Sequence, residues 1–216
     1  MALPLVILGA GGHAKMVIEA ARSSGMYEPK ICLAGGGDYV ESVLDVPVVA
    51  ETENQLRQLL RQGMWAFAAI GENGLRRRLS QNLEAVGFSL ATIVASTAWL
   101  SPSARVGAGT VLMPNSVVGA EAVIGSGVII NTNASVDHDC RIGCYAHVGS
   151  GAHLAGNVKI GERAFLGVGA NVVPGRCIGA KATVGAGAVV LSDIPEEQTW
   201  VGCPARALAP RLRRAA

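Results

Sequence analysis

From Val94 to Val190 every sixth residue is a branched aliphatic: Val94, Leu100, Val106, Leu112, Val118, Ile124, Ile130, Val136, Ile142, Val148, Leu154, Ile160, Leu166, Val172, Ile178, Val184 and Val190. The residue four places later is usually small, as at Ala98, Ala104, Ala122, Ala134, Ala146, Ala152, Ala164, Ala170, Ala182 and Ala188. The residue directly after the aliphatic is often glycine, as at Gly107, Gly119, Gly125, Gly143, Gly161, Gly167, Gly179 and Gly185. A period of six is neither helical nor a simple strand alternation, and its unbroken repetition marks a solenoid. Each hexad predicts one short flat face of a prism, with the aliphatic and the small residue pointing inward. Glycine and polar residues are expected at the corners, where positive φ is cheap for Gly and tolerable for Asn. Three hexads close a coil, and coils stack at about 4.8 Å, so the run predicts about five coils. Arg176 occupies a small inward position. Either its corner distorts or its guanidinium escapes to a subunit boundary.

Ahead of the solenoid the pattern changes. Leu3 to Leu8 is an apolar run that ends in Gly9-Ala10-Gly11-Gly12-His13-Ala14-Lys15, and an amphipathic stretch follows from Met16 to Arg22. This is strand, glycine turn, helix, an arrangement that aims free backbone N–H groups at an anion. Further strands are expected at 31–34 and 65–70. Helices are expected at 52–60, with Thr52 as N-cap, and at 75–86. Strands alternating with helices predict a small parallel α/β unit over residues 1–92. The solenoid then takes 93–191, and residues 192–216 form a cap and tail over its open end.

Composition narrows the picture. Aromatics are only 4% and glycines number 28, which suits a narrow prism filled with Val, Ile and Ala. A net charge of +2 gives no electrostatic case for nucleic acid or a membrane surface. The basic tail, Arg206 with Arg211, Arg213 and Arg214, reads as a solvated end. The apolar N-terminus lacks a basic flank and is broken by glycine, so it reads as a buried strand and not as a signal peptide. No apolar run is long enough for a span, and the cytoplasm is the expected compartment. Cys32, Cys140, Cys144, Cys177 and Cys203 are odd in number and lack CxxC spacing, which argues against a disulfide framework or a zinc knuckle.

The sharpest chemical candidate is His138, in Val136-Asp137-His138-Asp139-Cys140-Arg141. It is expected to project outward between two carboxylates, which raise imidazole basicity and fix its tautomer, as a general base requires. His147 and His153 take the last positions of their hexads and are expected at successive corners. With His138 they make a zinc site conceivable only between subunits, so no metal is expected. Cys140 reads as core filler; Cys144 faces outward with little to activate it. The glycine turn lacks the acidic residue expected about 20 positions on for an NAD ribose, so it reads as a site for a nucleotide phosphate of another kind.

The motifs Val6-Ile7-Leu8-Gly9-Ala10-Gly11-Gly12-His13-Ala14-Lys15, Ala69-Ile70-Gly71-Glu72-Asn73, the stretch 131–140, Ala155-Gly156-Asn157-Val158-Lys159-Ile160-Gly161 and Val201-Gly202-Cys203-Pro204-Ala205 occur in this order. The combination resembles the hexapeptide-repeat nucleotide-sugar acetyltransferases of sialic-acid, protein-glycosylation and O-antigen synthesis. The resemblance implies a Rossmann-like α/β domain that binds the nucleotide sugar, followed by a left-handed parallel β-helix. It implies acetyl-CoA as co-substrate, a homotrimer with sites between subunits, and a role in surface glycan synthesis. By the same resemblance His138 is the general base and Asp139 the acid that holds it. Gly11, Gly12, His13 and Gly71 bind the nucleotide sugar, and Asn131 lies close to the sugar. His147, Gly156, Val168 and Ala186 line the acetyl-CoA groove. The stretch Ala34-Gly35-Gly36-Gly37-Asp38 departs from the family pattern and leaves the base open. N-acetylation of a UDP-linked 4-amino sugar or of GDP-perosamine is the leading expectation. Sugar O-acetylation, a zinc hydratase on a similar solenoid and a non-catalytic binding module are the alternatives.

Overall fold

The computed structural model describes residues 1–35 and 40–208. Gly36, Gly37 and Asp38, and the tail arginines Arg211, Arg213 and Arg214, lie outside the described residues.

The first unit runs β1 (Leu3–Leu8), α1 (Gly12–Ser24), β2 (Tyr27–Ala34), β3 (Ser42–Val43), β4 (Val46–Ala50), α2 (Glu53–Arg61), β5 (Trp65–Ala68) and α3 (Asn73–Val86). The strand order is β3-β4-β2-β1-β5, parallel except for the β3–β4 hairpin. The expected strand at 31–34 begins four residues earlier, and the hairpin was not anticipated. Its turn, Leu44-Asp45, has φ of 47° and 64°. Only Asp45 is a usual residue for such a turn, so the sequence signal is weak. Thr52 caps α2 as expected, its hydroxyl accepting from the Gln55 N–H at 3.1 Å.

The solenoid is a three-faced parallel β-helix of two-residue strands. Face one carries Ile93–Val94, Val111–Leu112, Ile129–Ile130, His147–Val148, Phe165–Leu166 and Thr183–Val184. Face two runs from Trp99–Leu100 to Val189–Val190 through the strand Ser135–Val136, and face three from Arg105–Val106 to Cys177–Ile178. Stacked residues are 18 apart, as Ser135 on His153. The aliphatic and small positions form one buried core from Leu112 to Ala205. Five coils are complete. The sixth lacks a third-face strand, and Ile194 bridges to Ile178 in its place. Thr199–Val201 then extends face one, and Arg206–Ala207 pairs back on it, so the described residues after Leu191 add two strands at this end.

Glycine and polar residues hold the corners with positive φ, as the sequence suggested, Tyr145 excepted, but the glycines directly after the aliphatics are not among them. The left-handed residue is the third after each aliphatic from Val106 to Val184 and includes Asn115, Glu121, Asn133, Asp139, Tyr145, Asn157, Arg163 and Lys181, with φ between 56° and 59°. A non-glycine residue there costs about 1–2 kcal/mol. The corner N–H groups offset this by bonding to the preceding coil, as Asp139 N–H to Ala120 O at 3.0 Å and Asn157 N–H to His138 O at 2.9 Å. The glycines directly after the aliphatics have no positive φ; they serve close stacking. A Cβ at Gly161 would lie 2.3 Å from the Ala180 nitrogen, and one at Gly143 would lie 2.6 Å from the Glu162 nitrogen. His147 and His153 begin strands on faces one and two, so neither is at a corner. Arg176 keeps its corner undistorted, its carbonyl accepting from Lys159 N–H at 2.9 Å. Its guanidinium turns outward to within 3.7 Å of Asp193, beside the chain's own last coil, so no subunit boundary is needed to explain it.

The α/β unit sits on the outside of face one. Ile93, Ala95, Val111, Met113 and Ile129 share a buried cluster with Val17, Ile18 and Phe67. Gly161→Ala is expected to destabilise the protein by roughly 1–3 kcal/mol, because the new methyl meets backbone and not a movable side chain. An unchanged thermal midpoint would show that the coils can part at no cost.

Candidate active site

His138 and Asp139 sit on the corner between faces two and three, where the chain leaves Ser135–Val136. The corner projects them outward, and both side chains are more than half exposed. The left-handed turn at Asp139 brings its carboxylate back to its neighbour, with Oδ2 2.8 Å from His138 Nδ1. On the other side, Asp137 Oδ1 accepts from the His138 N–H at 2.7 Å. The Asp139 hydrogen bond, helped by the Asp137 charge, raises the imidazole pKa above its ordinary 6.5. With Nδ1 donating to Asp139, the lone pair of Nε2 is free. Gly156 lies one coil along, and a Cβ there would be 2.5 Å from both Cε1 and Nε2 of the ring. Its place is to make room for the imidazole.

A second group gathers where the α/β unit meets face one. The Gly9–Gly12 turn leads into α1, whose N-terminus has no side-chain cap and no acidic residue in its first turn. Gly9 is required by its φ of 116° and by the Ala69 carbonyl 3.0 Å from any Cβ. Gly11, Gly12 and Gly71 differ: a Cβ at any of them would meet nothing within 4 Å, and their φ is not left-handed. What their lack of a side chain preserves is open space. His13 Nε2 is buried without a partner. Thr132 N–H donates to Asn131 Oδ1 at 2.8 Å, which turns Asn131 Nδ2 toward His147 Nε2 at 3.1 Å. His147 Nε2 is therefore the acceptor and the ring proton sits on Nδ1. Phe165 packs edge-on to this ring, with centroids 5.2 Å apart. Burial first, and the Arg76 charge second, depress both His13 and His147 to about 4, so both are neutral at physiological pH. Beside Gly71 opens a cleft of about 510 Å³, floored by Phe165 and Thr183 and rimmed by Arg163 and Lys181.

Arg76, at the base of this group, was missed in the sequence, where it stands in a run of three arginines. A signal existed: Arg76, Ser80 and Leu83 form the buried stripe of α3. Val168 and Ala186 form a third group, on the corner between faces one and two. They are stacked 18 apart, and the Gly187 N–H donates to Val168 O at 2.8 Å. Val168 is 62% exposed. Of the residues assigned to an acetyl-CoA groove, His147 thus lies with Gly71 and Asn131, and Gly156 lies under His138. Within one chain, face two separates His138 and Gly156 from all the others. The three histidines at 138, 147 and 153 leave the prism on a corner and two different faces. Among the described residues no cluster of three His, Cys, Asp or Glu is placed to hold a metal.

A parallel β-helix of hexads that carries a carboxylate-held histidine, joined to an α/β unit with an uncapped glycine turn, is the architecture of a hexapeptide-repeat transferase. Comparison with known proteins agrees. Residues 4–83 match the PglD N-terminal domain, and residues 139–172 match the bacterial transferase hexapeptide (six repeats). No curated protein matches the sequence. Among solved structures, PerB from Caulobacter crescentus, in complex with CoA and GDP-perosamine, is 44% identical, with a TM-score of 0.89 over 95% of this chain and 97% of that one. A mutant of perosamine N-acetyltransferase from the same organism, with a histidine replaced by asparagine, also holds CoA and GDP-perosamine. It is 44% identical, with a TM-score of 0.91 over 96% of this chain and 97% of that one. The acetyltransferase domain of PglB from Neisseria gonorrhoeae, in complex with acetyl coenzyme A, is 39% identical, with a TM-score of 0.89 over 96% of this chain and 100% of that one. The chain belongs to the family of acetyl-CoA-dependent, hexapeptide-repeat sugar N-acetyltransferases.

Asp139→Asn keeps the left-handed turn, which Asn tolerates, but removes the charge. The His138 pKa is expected to fall, and the acidic limb of the rate profile to move to lower pH with it. NMR titration of the His138 ring measures the first and a pH–rate profile the second. A limb that stays in place would remove Asp139 from this role. Gly156→Ala is expected to push the ring off Asp139 and lower the same pKa.

Proposed function

We propose that this chain moves the acetyl group of acetyl-CoA to the amine of a nucleotide-linked amino sugar, by direct attack with His138 as general base. The observation that carries this reading is the exposed His138–Asp139 pair, with Nε2 free, in a chain that also holds an uncapped helix N-terminus behind two glycines that leave open space. An uncapped N-terminus with free N–H groups and the positive end of the helix dipole suits a sugar-nucleotide diphosphate. Asn131 lies nearby to meet the sugar. The uncharged corner of Val168 and Ala186 suits the amide-rich arm of acetyl-CoA, and the basic rim of Arg163 and Lys181 offers charge for phosphate.

In the proposed reaction the sugar ammonium gives a proton to His138 Nε2. The freed lone pair forms the N–C bond to the thioester carbonyl, the C–S bond breaks, and CoA leaves as thiolate. The nitrogen sheds its second proton as the amide forms and the thiolate takes it up, while His138 returns its own to solvent. Holding the amine against the thioester supplies much of the rate. No covalent enzyme intermediate is required, which accords with Cys140 being buried. The perosamine enzyme with a histidine replaced by asparagine still holds CoA and GDP-perosamine, which supports a histidine needed for chemistry more than for binding.

Because face two separates His138 from the other groups, we infer a site completed between two copies of the chain, as a homotrimer provides. The outward residues of face two support this. They include no lysine, arginine, aspartate or glutamate: Trp99, Val117, Ser135, His153, Asn171 and Val189, with Trp99 61% exposed. Face three carries Arg105, Arg141 and Lys159 instead. The product is an acetamido sugar for a surface glycan, made in the cytoplasm. No described helix is long and apolar enough to cross a membrane.

Release of free CoA thiol is the assay, with GDP-perosamine, UDP-linked 4-amino sugars and free sialic acid as acceptors. Turnover with one nucleotide amino sugar is expected; activity only with sialic acid would replace this reading by O-acetylation. His138→Ala is expected to lower turnover roughly 10²–10⁴-fold while sparing acetyl-CoA affinity. A His138→Ala chain mixed with a His13→Ala chain in shared oligomers is expected to regain part of the activity. Mixed oligomers as inactive as either parent would place the site within one chain.

A further inference from the structure

Arg76 is the largest fully buried side chain of the protein, at 1% exposure. Burying a guanidinium without a carboxylate is costly, and its neighbours must replace water's hydrogen bonds. Here carbonyls do so, and they come from both units. From the α/β unit, Ile70 O and Gly71 O accept from Nη1 at 3.1 and 3.0 Å, and Asn73 Oδ1 accepts from Nη2 at 2.8 Å. From the solenoid, Gly127 O accepts from Nε at 2.8 Å and Tyr145 O from Nη2 at 2.8 Å. The planar fork thus joins the β5–α3 turn to two successive coils. No lysine could span these acceptors, since an ammonium has three donors at one point. Asn73 adds a second tie, its Nδ2 donating to Arg163 O at 2.9 Å.

The bonded carbonyl of Gly71 belongs to the turn that leaves open space in the candidate acceptor site. We propose that Arg76 is a positioning residue of the acceptor site: its guanidinium fixes Gly71 and the adjoining Gly9–His13 turn against Asn131 and His147. This rests on the reading that the glycine turn takes the nucleotide sugar. The cation has a second effect. Burial is the main cause of the low proton affinity of His13 and His147, and the nearby Arg76 charge lowers it further, so that His147 Nε2 stays an acceptor for Asn131. The charged and titratable groups facing these rings are Arg76, each other, and, across Arg76, Glu72 and Tyr145. Arg76 itself is pulled down to about 10 by burial, so it remains charged at neutral pH.

The test compares Arg76→Lys and Arg76→Met with the full-length wild-type enzyme, using GDP-perosamine and a UDP-linked 4-amino sugar as acceptors. In Arg76→Lys the KM for the accepted nucleotide sugar is expected to rise at least tenfold, while the KM for acetyl-CoA stays within twofold and His13 and His147 still titrate near 4. In Arg76→Met the same KM rises and both histidines titrate at higher pH by NMR, a readout that needs no acceptor. A purely structural role would change neither the KM ratio nor the titration in the folded fraction. If Arg76→Lys folds and keeps the wild-type acceptor KM, the proposal is overturned while the acceptor reading stands. If the wild-type enzyme shows no saturable dependence on either nucleotide sugar, the acceptor reading fails and takes the proposal with it. Should Arg76→Met not fold, Arg76→Lys decides alone.

Discussion

The stacking of one coil on the next at a fixed offset of 18 residues is the constraint on which the rest depends. Each coil must hydrogen-bond to the next through two-residue strands, so the backbones approach closely and leave almost no freedom of register. That closeness decides which glycines cannot be replaced. It also places Gly156 under the His138 ring and puts His147 in line with Ile129 and Phe165. A shift of one residue would turn the aliphatic column to solvent and move every site residue to another side of the prism. The site geometry is therefore a consequence of core packing.

The second constraint is the attachment of the α/β unit to the solenoid. Apolar burial beneath α1 is non-directional and fixes no angle. Arg76 supplies direction, since its donors lie in one plane and its acceptors belong to both units. Hydrogen bonds to a charged group contribute about 1.5–3 kcal/mol each, against a large desolvation cost. Loss of any one acceptor leaves a buried cation partly unpaired, which makes the junction intolerant of small displacements.

The histidines divide by environment. His138 is exposed beside two carboxylates, and its affinity for a proton is raised. His13 and His147 are buried near a cation, and theirs is lowered. The first is suited to accept a proton at neutral pH; the other two are fixed as neutral hydrogen-bonding groups. Three of the four histidines thus have a shifted proton affinity, His138 through its carboxylate neighbours and His13 and His147 through burial and a nearby cation.

The sequence by itself determined the period, the inward columns, the strand–glycine turn–helix and the carboxylates at Asp137 and Asp139, because each is local or strictly periodic. The hexads leave no other way to bury so many aliphatics. The hairpin at Ser42–Ala50 escaped notice because Leu44 is a poor turn residue that tertiary pairing with β2 overrides. Three matters were decided by the tertiary structure alone. The corner residue proved to be the third after each aliphatic from Val106 to Val184, because the coil imposes a left-handed turn there whatever the side chain. The grouping of His147 with Gly71 and Asn131, and its separation from Gly156, depends on which face each coil position meets and where the α/β unit docks. Arg76 became the bolt between the units because carbonyls 51 and 69 residues away converge on it. Periodicity encodes which way a residue points along its own element. What it points at is settled only when distant elements pack.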